Sequence, residues 1–132
     1  MDLLLDTQIW LWAFLEKERI TKKVARVLED PNNRLWLSPV SVWESLVLFQ
    51  KGRIKMDGEP IAWIRSALAK GFVQEAGMDH ETAVHSRLID LPHQDPADRL
   101  IAATALVRGF TLVTSDSHLL KCRNIRTLAN AA

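Results

Sequence analysis

Asp95-Pro96-Ala97-Asp98-Arg99-Leu100-Ile101-Ala102-Ala103-Thr104-Ala105-Leu106-Val107-Arg108-Gly109-Phe110-Thr111-Leu112-Val113-Thr114-Ser115-Asp116 holds a whole helix-to-strand unit. Asp95 suits a helix N-cap, and Pro96 suits the first helical position, where a missing N–H goes unnoticed. Ala102, Ala103 and Ala105 are small enough to let that helix lie close against a sheet, and Gly109 ends it. Phe110 to Val113 then reads as a short strand, since unbroken apolar runs suit parallel strands covered on both faces.

Working outward, the same alternation recurs. Leu3 to Leu5 is a buried-strand pattern, and Ile9 to Phe14, around Trp10 and Trp12, reads as helix. Thr21 can cap a helix over 22–29, whose Val24, Val27 and Leu28 fall at i, i+3 and i+4. Pro31-Asn32-Asn33 is a turn before a second strand over 34–37. Ser38-Pro39 opens a helix that runs to about Gln50 and stops near Gly52. Gly58-Glu59-Pro60 opens another over 61–70, followed by a weaker strand over 72–76. Asp79 caps a helix reaching Ile89, and Leu91-Pro92-His93-Gln94 is a loop. Asp116 or Ser117 caps a short turn through Leu120, 125–128 is a fifth strand, and the last residues are expected to fray. Strands alternating with helices predict an α/β fold: three α/β/α layers on a parallel central sheet of four to five strands. The length fits one domain, residues 1–132.

The composition, 48% hydrophobic and 25% charged, excludes a disordered chain. No apolar run approaches a bilayer span, and Asp2 and Asp6 stand where a signal peptide would be basic. A cytoplasmic protein with no membrane partner is the expectation. The single cysteine, Cys122, rules out an internal disulfide and a cysteine-rich zinc site, and reads as a packing residue. A net charge of +1 does not announce a nucleic-acid binder. Lys51, Arg53 and Lys55 after one helix, and Lys121, Arg123 and Arg126 after Asp116, would suit a polyanion if they ring an acidic pocket. Otherwise they are solvated surface charges.

The chemistry lies in acids at strand ends and helix starts, where open α/β sheets place their ligand sites. Asp6 ends the first strand, and Thr7 can orient it. Glu44 sits on a mostly apolar helix beside Val40, Trp43 and Val47, where a carboxylate needs a partner. Asp116 ends the strand 110–113 after Thr114. Asp95 and Asp98 both suit the positive end of a helix dipole, and spacing alone does not choose between them. Each acid has a helix-capping alternative. If they converge, two carboxylates about 5 Å apart repel by roughly 3 kcal/mol at an effective dielectric of about 20, so a cluster requires a cation. All-oxygen ligands select a hard one, Mg²⁺ or Mn²⁺.

Leu4-Leu5-Asp6-Thr7, Ser38-Pro39-Val40-Ser41-Val42-Trp43-Glu44, Asp95-Pro96-Ala97-Asp98-Arg99-Leu100-Ile101-Ala102-Ala103 and Leu112-Val113-Thr114-Ser115-Asp116 resemble, in that order, the motifs of PIN-domain ribonucleases. Together with Lys51-Gly52-Arg53-Ile54 they look like the VapC-type toxin branch of bacterial type II toxin–antitoxin systems. The resemblance spans nearly the whole chain. It implies an endoribonuclease with Mg²⁺ or Mn²⁺ as cofactor, leaving a 5′-phosphate and a 3′-hydroxyl. Asp6, Glu44, Asp98 and Asp116 would be its catalytic, metal-holding acids, with Thr7 and Thr114 in support. Asp98 is preferred over Asp95 because Ile101-Ala102 follow it at the family's spacing, which leaves Asp95 as N-cap or outer-shell residue. Arg99 or Lys121 could steady phosphates. The resemblance also implies an RNA substrate, a cognate antitoxin and a homodimer, with an apolar groove lined by Trp10, Trp12, Leu46 and Phe49.

Other readings are weaker. A receiver domain wants paired acids after its first strand and a late lysine, and a haloacid-dehalogenase phosphatase wants Asp-x-Asp where this chain has Asp6-Thr7-Gln8. A solitary RNA-processing nuclease, or a non-catalytic RNA-binding module, stays open. Five tryptophans (Trp10, Trp12, Trp36, Trp43, Trp63) read as core or interface rather than base-stacking residues. His80, His85, His93 and His118 show no metal-ligand spacing, although His93 and His118 lie near acidic motifs.

Overall fold

Leu3, Leu4 and Leu5 are almost wholly buried because the strand they form, β1 (Asp2–Leu5), lies at the centre of a five-stranded sheet. The structure is a computed structural model that describes residues 1–131. Strand β1 pairs in parallel with β2 (Arg34–Leu37) on one side and β4 (Thr111–Thr114) on the other. Two outer strands, β3 (Gln74–Glu75) and β5 (Arg126–Ala129), complete the order β3-β2-β1-β4-β5, every pair parallel. Among the described residues seven α-helices connect the strands: α1 (Thr7–Leu15), α2 (Lys22–Glu29), α3 (Pro39–Gln50), α4 (Pro60–Ala69), α5 (His80–Leu88), α6 (Pro96–Arg108) and α7 (Ser117–Leu120).

The strands' period of two divides the core into two layers. Leu4 and Leu112 face a cluster with Ile101, Ala102 and Ala105 of α6 and Ile89 after α5. Leu3, Leu5 and Val113 face the opposite cluster, with Ile9 and Trp10 of α1, Val24 of α2 and Ile64 of α4. This is the expected three-layer arrangement, with the sheet at the upper end of the four-to-five-strand range. The alanines of α6 are at most 1% exposed at positions 102, 103 and 105, so that helix lies close on the sheet as its small residues predict. Gly109 closes it in the left-handed conformation at φ 69°, which a β-carbon would strain.

Helix starts follow the chain's chemistry. Ser38 accepts from the Val40 N–H with Pro39 in the first turn, and Thr21 accepts from the Val24 N–H. Helix α1 begins at Thr7, two residues earlier than the apolar run suggests, because Asp6 itself caps it. The weak strand expected over 72–76 shrinks to Gln74–Glu75, with Phe72 62% exposed. The expected fraying is also limited. Asn130 is buried, accepts from the Thr21 N–H and donates to the Arg19 carbonyl, while Ala132 lies outside the described residues. No helix among the described residues is long and apolar enough to cross a membrane.

Candidate active site

The chain runs outward from β1 through β2 to β3, then returns to place β4 on the other side of β1. The strand order therefore reverses between β1 and β4, and at such a point the carboxyl ends of the strands splay into a crevice. Asp6 follows β1 there, Asp116 follows β4, and α3 starts directly after β2.

Asp6 is held across that crevice. Its Oδ1 accepts from the Thr7 N–H at 2.8 Å, and its Oδ2 accepts from the Thr114 hydroxyl at 2.6 Å. Thr114 Oγ1 in turn accepts from the Asp116 N–H. The Thr7 hydroxyl lies 2.9 Å from Ser41 Oγ and near enough to the Glu44 carboxyl to favour its ionised form. The Thr7 N–H and the Thr114 hydroxyl thus hold the Asp6 carboxyl between the start of α1 and the end of β4.

One carboxylate oxygen each from Glu44, Asp95 and Asp98 lies within 4.8 Å of the others. Asp6 is close enough for its charge to be felt by this group. Burial is the main cause that pushes its carboxyl up to about 7, opposed by the Thr114 hydrogen bond and reinforced by the charges of Asp98 and Glu44. Glu44 is likewise raised, first by burial and then, against the Thr7 hydrogen bond, by Asp98 and Asp95. Asp98 is raised by burial too, with His93 opposing and Asp95 and Asp116 adding to it. Among the described residues, no lysine or arginine lies within ion-pair distance of Asp6, Glu44 or Asp98.

The capping and functional alternatives turn out to be compatible. Asp95 uses Oδ1 to accept from the Ala97 and Asp98 N–H groups, and Asp116 uses Oδ1 to accept from His118 and Leu119. Each cap engages one oxygen and leaves the other. Asp98 is not a cap; its Oδ2 faces His93 Nε2 at 2.9 Å. Asp116 stands at the rim, grouped with His93 and His118 rather than with Glu44 and Asp95.

Several expectations are corrected. Arg99 is 5% exposed, and its guanidinium donates to the backbone carbonyls of Ser86, Ile89, Leu91 and His93. Its donors are spent on closing the turn after α5, so it does not serve phosphates. Arg126 opens β5 at the end of the sheet opposite Asp116 and donates to the Gly109 carbonyl. Lys51 and Arg53 follow the far end of α3, about 10 Å along the axis from Glu44 at 1.5 Å per residue. These charges do not ring the acids, whereas Lys121, at the end of α7, is exposed on their side of the sheet.

The expected apolar groove is also redrawn. Trp10 is 1% exposed and belongs to the core, and Trp12 lies under the Arg19 guanidinium. Phe49 instead lines a cleft of about 780 Å³ with Phe14, Leu15, Ile54, Met56 and Trp63. Trp43 departs from the core reading, being 57% exposed. His93 and His118 show no metal-ligand spacing in sequence, yet their rings lie with centroids 4.8 Å apart, tilted by 31°, beside the acids. His93 comes from the loop before α6 and His118 from the first turn of α7, so no linear spacing reveals them; their nearness to Asp95 and Asp116 in sequence is the one signal.

The reversal point, the convergent acids and the parallel five-stranded sheet define a class. Residues 3–124 match the PIN domain, and the chain belongs to the PIN-domain family. It is 31% identical over 126 residues to Ribonuclease VapC22 of Mycobacterium tuberculosis, covering 93% of each chain, so the VapC-type branch expected from the four ordered motifs is represented among its relatives. Its fold is similar to VapBC2 from Rickettsia felis bound to a DNA fragment from its promoter, at 18% identity, 98% of each chain and a TM-score of 0.72. It is equally similar to DNA-bound VapBC from Salmonella typhimurium, at 15% identity, 99% of each chain and a TM-score of 0.72.

Proposed function

We propose that this chain is a metal-dependent endoribonuclease and the toxin of a toxin–antitoxin pair. The observation that carries the reading is the gathering of Asp6, Glu44, Asp95 and Asp98 at the reversal point with, among the described residues, no lysine or arginine paired to Asp6, Glu44 or Asp98. Such a group suits a hard divalent cation: its donors are all carboxylate oxygen, and the acids are held close enough for their charges to repel one another. Asp6, Glu44 and Asp98 would hold Mg²⁺ or Mn²⁺, with Asp116 completing the site from the rim and Asp95 acting from outside it as N-cap. When bound, such an ion lowers the pKa of water and offsets charge on a phosphodiester under in-line attack.

The protein's own part is preorganisation. Thr114 and the Thr7 N–H fix both oxygens of Asp6 before any ion arrives. His93 fixes one oxygen of Asp98, and Arg99 fixes the loop that carries His93. Burial of Asp6 excludes water from its inner side, which strengthens its attraction for a cation once it is ionised.

The VapC22 relative supports RNA as the substrate class. The VapBC neighbours support a small antitoxin as partner, and the cleft at Phe14, Phe49 and Trp63 is the apolar surface that suits it. Val84 and Leu88, one turn apart and exposed on α5, support pairing of two copies. The whole chain, 1–132, would act as one nuclease domain in the cytoplasm. The test is incubation of purified protein with RNA, with Mg²⁺ or Mn²⁺ and with EDTA, repeated after adding the product of any small gene adjoining its own. Metal-dependent cleavage that the adjoining product suppresses supports the reading; cleavage indifferent to EDTA removes it.

A further inference from the structure

The carboxylate cluster does not account for His93 and His118. His93 Nε2 lies 2.9 Å from Asp98 Oδ2, and opposite an ionised carboxylate, which only accepts, a ring proton sits on Nε2. A neutral imidazole then carries a bare lone pair on Nδ1. That nitrogen is buried and has no hydrogen-bond partner. A buried acceptor without a donor is unfavourable and uncommon. A histidine that donates one ring N–H to a carboxylate while its other nitrogen is free is arranged as metal-ligating histidines are.

The remaining donors stand close by. One ring nitrogen each from His93 and His118 and one carboxylate oxygen of Asp116 lie within 4.8 Å of one another. His118 Nδ1 is 3.8 Å from Asp116 Oδ1, beyond hydrogen-bond length, so these two converge without satisfying each other. They are brought together by two separate connections: the loop before α6, which carries His93, and the junction from β4 into α7, which carries Asp116 and His118.

We propose that His93, Asp116 and His118 form a site for a borderline transition-metal ion, with Zn²⁺ as its reference ligand, beside the all-oxygen cluster. Two imidazoles and a carboxylate are a donor set that zinc and its neighbours in the first transition row accept and Mg²⁺ does not favour. Three protein ligands leave a coordination position open. The site needs neither Asp6 nor Glu44 and meets the proposed nuclease centre only at Asp116 and through the Asp98–His93 hydrogen bond. Occupation therefore commits Asp116 to the nitrogen site and gives Zn²⁺ a route to the nuclease centre distinct from that of Mg²⁺.

The test uses full-length, tag-free protein stripped with EDTA and dialysed. Zn²⁺ binding is followed by calorimetry, and Co²⁺ binding by its visible absorption, which reports nitrogen ligation and low coordination number. One Zn²⁺ per chain is expected, weakened by about tenfold or more in His118→Ala and His93→Gln and retained in Asp6→Asn. His118 is half-exposed on a surface turn, so its truncation does not threaten the fold. Absence of Zn²⁺ binding in the unmodified protein, or binding unchanged by both histidine variants, overturns the proposal. If Asp6→Asn abolishes binding and the histidine variants keep it, the ion sits among the carboxylates; this proposal then fails while the nuclease reading stands.

Discussion

Replacing Asp6 with Asn should stabilise the metal-free protein while removing its cation site. Asp6 is 7% exposed, and its carboxyl is pushed from 3.8 to about 7, chiefly by burial. A carboxyl whose pKa is raised on folding holds its proton more tightly in the folded state. At pH below about 4 both states are protonated and Asp6 brings no penalty. Between about pH 4 and 7 the unfolded chain releases the proton and the folded chain keeps it, so stability falls; above about 7 the loss levels off. At about 1.4 kcal/mol per tenfold change in proton affinity, the rise from 3.8 to about 7 makes the full penalty about 4 kcal/mol. Asn carries no charge and can still accept from the Thr7 N–H. It cannot accept the Thr114 proton at the second oxygen, which returns about 1 kcal/mol. The net expectation is a gain of about 3 kcal/mol near pH 8 that fades towards pH 4. Urea unfolding in EDTA across this range measures it directly. A variant no more stable than the parent near pH 8, or a parent whose stability does not fall between pH 4 and 7, would refute the reasoning.

The remaining predictions concern neighbouring groups. Mg²⁺ or Mn²⁺ at about a hundred times its dissociation constant should stabilise the parent by about 2.7 kcal/mol and Asp6→Asn far less; equal thermal shifts for the two would contradict the site. Arg99→Met should destabilise the fold by about 3 kcal/mol or more, since it strips donors from four carbonyls, three of them in buried contacts. A urea midpoint within error of the parent's would show that the turn after α5 does not depend on it. Trp43→Ser should leave stability within about 0.5 kcal/mol, whereas Trp10→Ala should lower it by about 3–5 kcal/mol. Similar losses at both positions would mean that Trp43 is covered in solution.

Much of the fold was legible because its strongest signals are local. Leu3–Leu5 is a continuous apolar run and Phe110–Val113 is broken only by Thr111, the pattern of a parallel strand covered on both faces. Ser38-Pro39 and Asp95-Pro96 fix helix starts by chain chemistry alone. Strand β3 was overextended because an edge strand is defined by its partner, and only Gln74 and Glu75 find β2. In the candidate site, the ordered motifs single out Asp6, Glu44 and Asp98, which lie near one another in the structure, and a helix cap leaves a carboxylate oxygen unused. Asp95 and Asp116 cap with one oxygen and keep the other. Arg99 was misread because a guanidinium beside an acid looks the same in sequence whether it meets phosphates or carbonyls. His93 and His118 escaped because their proximity is made by topology, with β4 returning beside β1.

The central claim is that acids at the β1/β4 reversal point make one cation site for cutting RNA. The most direct measurement is the cleavage rate of a labelled RNA during a Mn²⁺ titration, for the parent, Asp6→Asn and Asp98→Asn. The account predicts a rate that rises with Mn²⁺ and saturates in the parent, and falls to background in both variants even though Asp6→Asn is the more stable protein. Saturating, undiminished cleavage by either variant, or a parental rate independent of Mn²⁺, would contradict it.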